Sequence, residues 1–362
     1  MTPSVALAHD VLAARAGGER VLAALASGFA DAPIHTLIYE PNATFNEFER
    51  HTVHASWLNR ITPLRRRYRA ALPVAALTWA ARCIDADVTV CSTSGLSHHV
   101  RTTGARVVYC HTPARWLHQP ELYLDGFPRT VSTAARVVSP LARRFDRTAM
   151  RSADIVIANS QQTRTEIQDI YGIDARVIAP ASFLDLEGPV RPIRGLAPGF
   201  VVSPMRPLAY KRFDVLIAAA RRRPDVTFLQ IGDGPHRTAL VADAPANLHS
   251  VGGVDDAQLR WAYRNARAVL LTCAEDFGLV PLEAAAHGLT TIAPRARGLL
   301  DHDPAVVHPY EFASVGELVT AVDDVVPPTG VFDSRHLGVD RFLEEIRRAI
   351  DDALVVNNRD HG

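Results

Sequence analysis

The stretch CAEDFGLVPLEAAAHG, residues 273–288, decides the fold. It follows the apolar run Ala268–Leu271, breaks at Gly278, and continues into a second apolar run, Leu279–His287, long enough for a short helix. Strand, glycine-bearing loop and helix make the repeating unit of a parallel α/β sheet. Two carboxylates stand eight residues apart in it, Glu275 on the loop and Glu283 about one turn inside the helix. A carboxylate at the helix position can accept paired hydrogen bonds from vicinal hydroxyls such as those of a ribose. Glu275 can do the same for a sugar, and Gly278 lets backbone approach a ligand. Paired carboxylates also serve acid–base hydrolysis. That alternative stays open here, because sequence spacing does not fix the separation it requires.

Working outward, the same alternation runs along the whole chain. Around the quoted stretch, strands are expected near Phe200–Ser203, Thr227–Ile231, Leu248–Val251 and Thr290–Ile292, with helices at Phe213–Arg222, Asp256–Asn265 and Ser314–Val325. Upstream, strands near Val5–Ala8, His35–Tyr39, Val88–Cys91, Arg106–Cys110 and Ile155–Ala158 alternate with helices at Gly18–Phe29, Arg67–Cys83, Ser132–Met150 and Gln161–Tyr171. The two series are separated by a stretch from Val177 that is rich in proline and glycine and reads as a linker. The expected organisation is α/β: an N-terminal Rossmann-like domain over 1–180, a linker over 181–198, a second Rossmann-like domain over 199–335, and a helix and tail over 336–362. Phe342, Ile346, Ile350 and Leu354 step by four along one face of that last helix, a candidate to pack back on the N-terminal domain. Doubly wound domains carry their ligand loops at the carboxyl ends of their strands. Two such edges facing each other would make the site a cleft between domains.

The bulk numbers fit two soluble cores. Of 362 residues, 48% are hydrophobic and 22% charged, and the formal net charge is +0, which gives no ground for nucleic-acid binding. The 39 Lys+Arg include a single lysine, Lys211. Where arginine is otherwise universal, that position calls for a compact ammonium on a flexible stem. Cys83, Cys91, Cys110 and Cys273 form no CxxC pair, and no Cys/His cluster has zinc spacing. They read as reduced and mostly buried. No signal-peptide pattern opens the sequence and no apolar run reaches the length of a membrane span. The expected location is therefore the cytoplasm.

Two further motifs flank the quoted stretch. SPMRPLAYKRFD, residues 203–214, places Arg206 and Lys211 five apart at a strand-to-helix turn, where a helix N-terminus adds its positive dipole. Two fixed cations there suit a diphosphate and could hold the charge on a departing phosphate. Gly232-Asp233-Gly234-Pro235 is a tight turn after a strand, with room for backbone to approach a ligand.

With these pieces in order, the chain resembles the retaining GT-B glycosyltransferases of family 4. The resemblance rests on Arg206, Lys211, the GDGP turn and Glu275-x7-Glu283. It rests as well on His9-Asp10, on Gly17-Gly18-Glu19-Arg20, on Tyr109-Cys110-His111-Thr112-Pro113, and on ADIVIANS at 153–160. It runs from about residue 4 to residue 300, and is nearest to the mannosyltransferase-like branch of bacterial surface polysaccharide and glycolipid assembly. It implies that Arg206 and Lys211 bind the donor diphosphate and Glu283 the ribose hydroxyls. It further implies that Glu275, with backbone amides near Phe277, Gly278 and Leu279, holds the transferred hexose, with Gly232 in the donor pocket. Gly17 and Gly18 would form a first-domain loop over the diphosphate, and His111 would lie beside the reacting centre. Asp10 reads equally as a loop cap. The implied reaction retains configuration, uses no metal or other cofactor, and proceeds by front-face attack with the two cations in place of a divalent ion.

The partners implied are a nucleotide-sugar donor, with GDP-mannose ahead of UDP-hexoses, and a glycan or polyprenyl- or lipid-linked acceptor. Two departures bear on the donor pocket: a single Gly298 where related sequences often have two glycines, and His287 where a small residue is usual. Trp57–Arg60, the basic run Leu64–Arg69 and the apolar run Ala70–Trp79 suit either peripheral contact with the inner membrane face or a basic helix start before a buried helix. A second basic cluster, Arg143, Arg144, Arg147 and Arg151, supports membrane contact only if it shares a face with the first. The rival function is a nucleotide-sugar-binding subunit that does not catalyse. A dinucleotide oxidoreductase is disfavoured because no GxGxxG follows the first strand.

Overall fold

The structure, a computed structural model, describes residues 3–66, 72–119, 129–181, 187–273, 277–294, 309–326 and 338–360. The chain divides into two compact units, one of Met1–Phe183 with Leu337–Gly362 and the other of Leu184–His336.

The first unit is built on strands β1 (Val5–His9), β2 (Ile34–Thr36), β3 (Val53–Ala55), β5 (Val88–Thr93), β7 (Ala105–Cys110), β8 (Ile155–Ala158) and β9 (Arg176–Val177). They pair in the order β3-β2-β1-β5-β7-β8-β9, all parallel. A separate ribbon joins β4 (Cys83–Ile84) to β6 (Arg101–Thr102). The helices are α1 (Gly17–Gly28), α2 (Thr62–Arg66), α3 (Leu72–Ala81), α4 (Arg115–His118), α5 (Arg129–Arg151) and α6 (Gln161–Tyr171). Of the predicted helix over Arg67–Cys83, Leu72–Ala81 is α3 and Cys83 opens β4, while 67–71 lie outside the described residues. β5 and β7 are buried at every position, as strands covered on both faces must be.

The second unit repeats the plan. β10 (Phe200–Ser203), β11 (Phe228–Gln230), β12 (Leu248–Ser250), β13 (Ala266–Leu270), β14 (Thr291–Pro294) and β15 (Pro309–Phe312) pair in the order β12-β11-β10-β13-β14-β15, again all parallel. They alternate with α7 (Phe213–Arg222), α8 (Arg237–Asp243), α9 (Asp256–Asn265), α10 (Leu279–Ala286) and α11 (Val315–Asp324). Both sheets therefore wind outward in both directions from their first strand. This is the Rossmann order, and its switch point lies between β1 and β5 in one unit and between β10 and β13 in the other.

The terminal helix α12 (Val339–Asp360) belongs to the first unit. Its Phe342, Leu343, Ile346, Ala349, Ile350 and Ala353 join one buried cluster with Leu7, Leu22, Leu25, Val88 and Tyr109. The Phe342 ring meets Tyr109 edge-on at 5.7 Å, and Arg341 donates to the Ala179 carbonyl at 2.7 Å. A Cβ on Gly28 in α1 would lie 2.5 Å from a Leu343 methyl, so a larger residue there would displace that side chain.

Candidate functional site

In the first unit, three adjacent strands bring their ends together at the switch point. His9 closes β1, Ser92 lies opposite it in the register of β5, and His111 follows the last residue of β7. The Ser92 hydroxyl sits between the rings, 3.0 Å from His9 Nδ1 and 2.8 Å from His111 Nε2. The backbone of His111 is fixed as well: its N–H donates to Thr93 O at 2.9 Å, and its carbonyl accepts from Asn159 Nδ2 at 3.0 Å. Burial pushes His111 down to about 3, with His9 reinforcing the shift, and burial takes His9 to about 4. Both rings are neutral at physiological pH. Their role is to present hydrogen-bonding atoms and shape, without charge.

The Gly17-Gly18 start of α1 lies over this pair. A Cβ on Gly18 would stand 3.6 Å from His9 Cε1 and 3.7 Å from His111 Nε2, so the bare glycine keeps the space above the rings open beside the helix's first amides. Asp10 does not cap α1. Its carboxylate accepts from Ser94 N at 2.7 Å, Ser97 N at 2.6 Å and Thr93 Oγ1 at 3.1 Å, anchoring the turn after β5.

In the second unit, the corresponding edge is made of loops. Arg206 donates through Nε to the Asp233 carbonyl at 3.1 Å, linking the two motifs that the sequence separates by 27 residues. The turn is packed tightly enough to demand glycine. Gly232 has φ 121°, and a Cβ there would lie 3.2 Å from Met205 O, while one on Gly234 would lie 2.4 Å from Pro207 O. Buried Gln230 ties the same loops from below, donating to Met205 O at 2.8 Å and Gly232 O at 3.0 Å, with its oxygen held by Ser250 at 2.6 Å. The GDGP turn thus braces the arginine loop.

Lys211 ends a one-turn 3-10 segment. Its ammonium stands 5.4 Å from the Tyr210 ring centroid, and its carbonyl accepts from Thr272, two residues past β13. The next residue, Arg212, has φ 49° and is the sole non-glycine with positive φ among the described residues. Such backbone costs on the order of 1–3 kcal/mol and concentrates at ligand-binding turns. Its guanidinium is paired with Asp214 two residues on.

Gly278 (φ 82°) starts α10 in left-handed conformation, which brings the first amides of Leu279 and Val280 to the loop edge, with Phe277 buried beside them. Glu283 is only 6% exposed within this apolar helix, and Tyr263 donates to its Oε2 at 2.7 Å. The His287 ring stacks on Tyr263 at 5.0 Å, and its Nδ1 meets the Glu283 carbonyl at 2.8 Å. Burial lowers the His287 pKa, so His287 acts as a neutral wall beside the carboxylate. Glu275 and Gly298 lie outside the described residues.

The expected residues therefore form two sets, each within its own unit. Gly17, Gly18 and His111 gather at the first switch point; Arg206, Lys211, Gly232, Phe277, Gly278, Leu279 and Glu283 lie on the loops and helix around the second. Sequence reasoning missed Ser92, Tyr263 and Gln230. None sits in a motif; each is found only through its partner. Among the described residues no helix is long and apolar enough to cross a membrane.

Residues 15–181 match the family model described as Glycosyltransferase Family 4, and residues 199–325 match that described as Glycosyl transferases group 1. Among solved structures, HepE of Anabaena in complex with UDP and glucose is similar at 19% identity and TM-score 0.65, over 96% of this chain and 99% of that one. A glycosyltransferase of Rickettsia africae is similar at 13% identity and TM-score 0.61, over 96% and 98%. Sucrose-phosphate synthase of Thermosynechococcus elongatus is similar at 16% identity and TM-score 0.58, over 98% and 97%. In sequence, no curated protein matches the chain. The two Rossmann-like units and the two family matches define a glycosyltransferase of the GT-B fold. Its first domain is similar to Glycosyltransferase Family 4 and its second to the Glycosyl transferases group 1.

Proposed function

We propose that this glycosyltransferase moves a hexose, mannose first among the candidates, from a nucleoside-diphosphate sugar to a glycan or lipid-linked acceptor with retention of configuration. The observation that carries the reading is the second-unit edge. There Arg206 is braced by the GDGP turn, Lys211 is held beside a positive-φ residue, and a buried carboxylate, Glu283, is oriented by Tyr263. Two cations and one fixed carboxylate match the two ends of a nucleoside diphosphate, its phosphates and its ribose. The similar HepE structure holds UDP and glucose, which favours a nucleotide-sugar donor and puts UDP-hexoses beside GDP-mannose.

In the reaction, Arg206 and Lys211 stabilise the charge that grows on the departing diphosphate, the step at which fixed cations contribute most. The amides that open α1 and α10 face anionic or hydroxyl groups of the donor. His111, neutral and held by Ser92, contributes a hydrogen bond to the sugar rather than an acid at physiological pH. Glu275 binds the hexose. The cations take the part that a divalent ion plays in other transferases, so turnover needs no added metal.

The test is calorimetric binding of GDP, UDP and dTDP, without added metal, to wild type and to Lys211→Ala. Selective binding of one diphosphate, lost in the variant, supports the site and names the donor class. Binding without turnover on any lipid or sugar acceptor would favour a non-catalytic subunit. Failure to bind all three overturns the assignment.

A further inference from the structure

The side chains that support Glu283 bear on which nucleosides the second unit accepts. Tyr263 lies near the end of α9 and is fully buried, in a cluster with Phe200, Trp261 and Ala284. Its hydroxyl has one proton and donates it to Glu283 Oε2 at 2.7 Å. The Tyr263 ring is held in turn by His287, stacked on it at 5.0 Å with 25° between the planes. His287 is fixed at the end of α10: its Nδ1 donates to the Glu283 carbonyl at 2.8 Å and its amide to the Ala284 carbonyl at 3.0 Å. With the ring proton on Nδ1, its buried Nε2 has no partner among the described residues. A second proton there would be a buried charge without an acceptor, and burial lowers the His287 pKa accordingly.

These contacts close a circuit. Glu283 holds His287 through its backbone, His287 backs the Tyr263 ring, and Tyr263 returns to the Glu283 carboxylate. The rotamer freedom of a glutamate is thereby lost on folding, and a ligand does not meet that cost when it binds. An ionised carboxylate accepts hydrogen bonds and gives none, so beyond Tyr263 it selects for donors. Ribose offers two vicinal hydroxyls where 2′-deoxyribose offers one. Glu283 is 6% exposed, and a sugar ring over it would exclude the remaining water. An analogue without the hydroxyl then leaves a charged acceptor buried and unpaired, which costs more than the bond itself contributes.

We infer that the donor is a ribonucleoside diphosphate sugar, and that Tyr263, backed by His287, is the positioning residue through which the site selects ribose over 2′-deoxyribose. The inference rests on the ribose role proposed for Glu283 and narrows it. It sets guanosine and uridine diphosphates apart from deoxythymidine diphosphate by the sugar rather than the base. Tyr263 touches the carboxylate and not the ligand, so its removal loosens the fit to the sugar and leaves the grip on phosphate to Arg206 and Lys211.

The test is calorimetry on the intact chain with UDP against 2′-deoxy-UDP, GDP against 2′-deoxy-GDP, and pyrophosphate as a probe without a sugar. Wild type should bind its preferred ribonucleotide about 10–100-fold more tightly than the deoxy partner. Tyr263→Phe keeps the ring and its stack; it should bring that ratio below about 3-fold while pyrophosphate affinity stays as in wild type. A merely structural defect would weaken ribo and deoxy ligands alike. His287→Ala spares the hydroxyl and should lower the ratio by a smaller factor, and it decides the matter if Tyr263→Phe does not fold. Equal binding of the two sugars by wild type would overturn the selection. A wild-type ratio in the folded Tyr263→Phe protein, or in His287→Ala where that protein is lacking, would overturn the positioning role. Glu283→Ala then separates the two readings: a ratio lost there leaves the ribose role standing without Tyr263, and a ratio kept there sinks the ribose role itself. Failure to bind any of the four nucleotides overturns the donor assignment and this inference with it.

Discussion

The two switch points have the same topology and opposite electrostatics. In the first domain the strand ends carry two neutral imidazoles joined by a serine hydroxyl, His9 and Ser92 placed by β-ladder register and His111 one residue past β7. In the second they hand over to loops that carry cations, a positive-φ arginine and glycines without room for a Cβ. A ladder sets side chains at the ends of neighbouring strands within a fraction of an ångström at no cost in unusual backbone. A loop can face several amides and a charged head toward one ligand, but only through conformations that glycine or strain must supply. The first edge is suited to shape and hydrogen bonding, the second to grip on charge.

The comparison breaks most sharply at Lys211. Lys211→Ala should lower kcat by about 10²–10³-fold with an unchanged unfolding midpoint, the range seen when one donor to a developing anion is lost. Wild-type turnover in the folded variant would remove the charge-binding role from the second edge. Glu283→Ala should weaken nucleotide diphosphate binding by about 10–100-fold, since hydrogen bonds to a charged group contribute about 1.5–3 kcal/mol; calorimetry against nucleoside diphosphate and free pyrophosphate separates a ribose role from a phosphate one.

Two glycines sharpen the contrast between ladder and loop. Gly232→Ala meets Met205 O at 3.2 Å with φ 121° and should lower stability by about 1–3 kcal/mol. Gly18→Ala meets only ordinary contacts at 3.6–3.8 Å and should stay within about 0.5 kcal/mol of wild type while lowering turnover. Chemical denaturation of both variants checks the pair.

The last contrast is with pH. His9 and His111 have folded pKa values of about 4 and 3, below the ordinary 6.5, so the unfolded chain binds more protons between those limits. Their contribution to stability is complete above pH 6.5 and declines as pH falls toward 3. Denaturation midpoints should drop through that window, whereas kcat should show no histidine titration between pH 6 and 9.

Much of this was legible in the sequence because it is local. The helices Gln161–Tyr171 and Asp256–Asn265 have the predicted bounds, and each starts with a side chain that caps it, Ser160 accepting from Thr163 N and Asp255 from Gln258 N. Both sheets follow from the alternation of short apolar strands with amphipathic helices. Short elements escaped. The seven-residue helix Arg237–Asp243 shows little periodicity, and β3, β9 and β15 read as loop because an edge strand can be short and polar. Charged site residues stood out by type at strand ends. Their supports did not: Tyr263 lies twenty positions before the Glu283 it orients, and Ser92 is one hydroxyl in the run Cys91-Ser92-Thr93-Ser94.

The packing of α12 has a temporal consequence. The ribosome makes the first unit's sheet, then all of the second unit, and only afterwards the helix whose Phe342, Ile346 and Ile350 fill the first unit's core. During synthesis the part of that core filled by α12 therefore stays open until the whole second unit has been made. Until then the first unit's apolar residues that meet Phe342, Ile346 and Ile350 are open to chaperones and proteases.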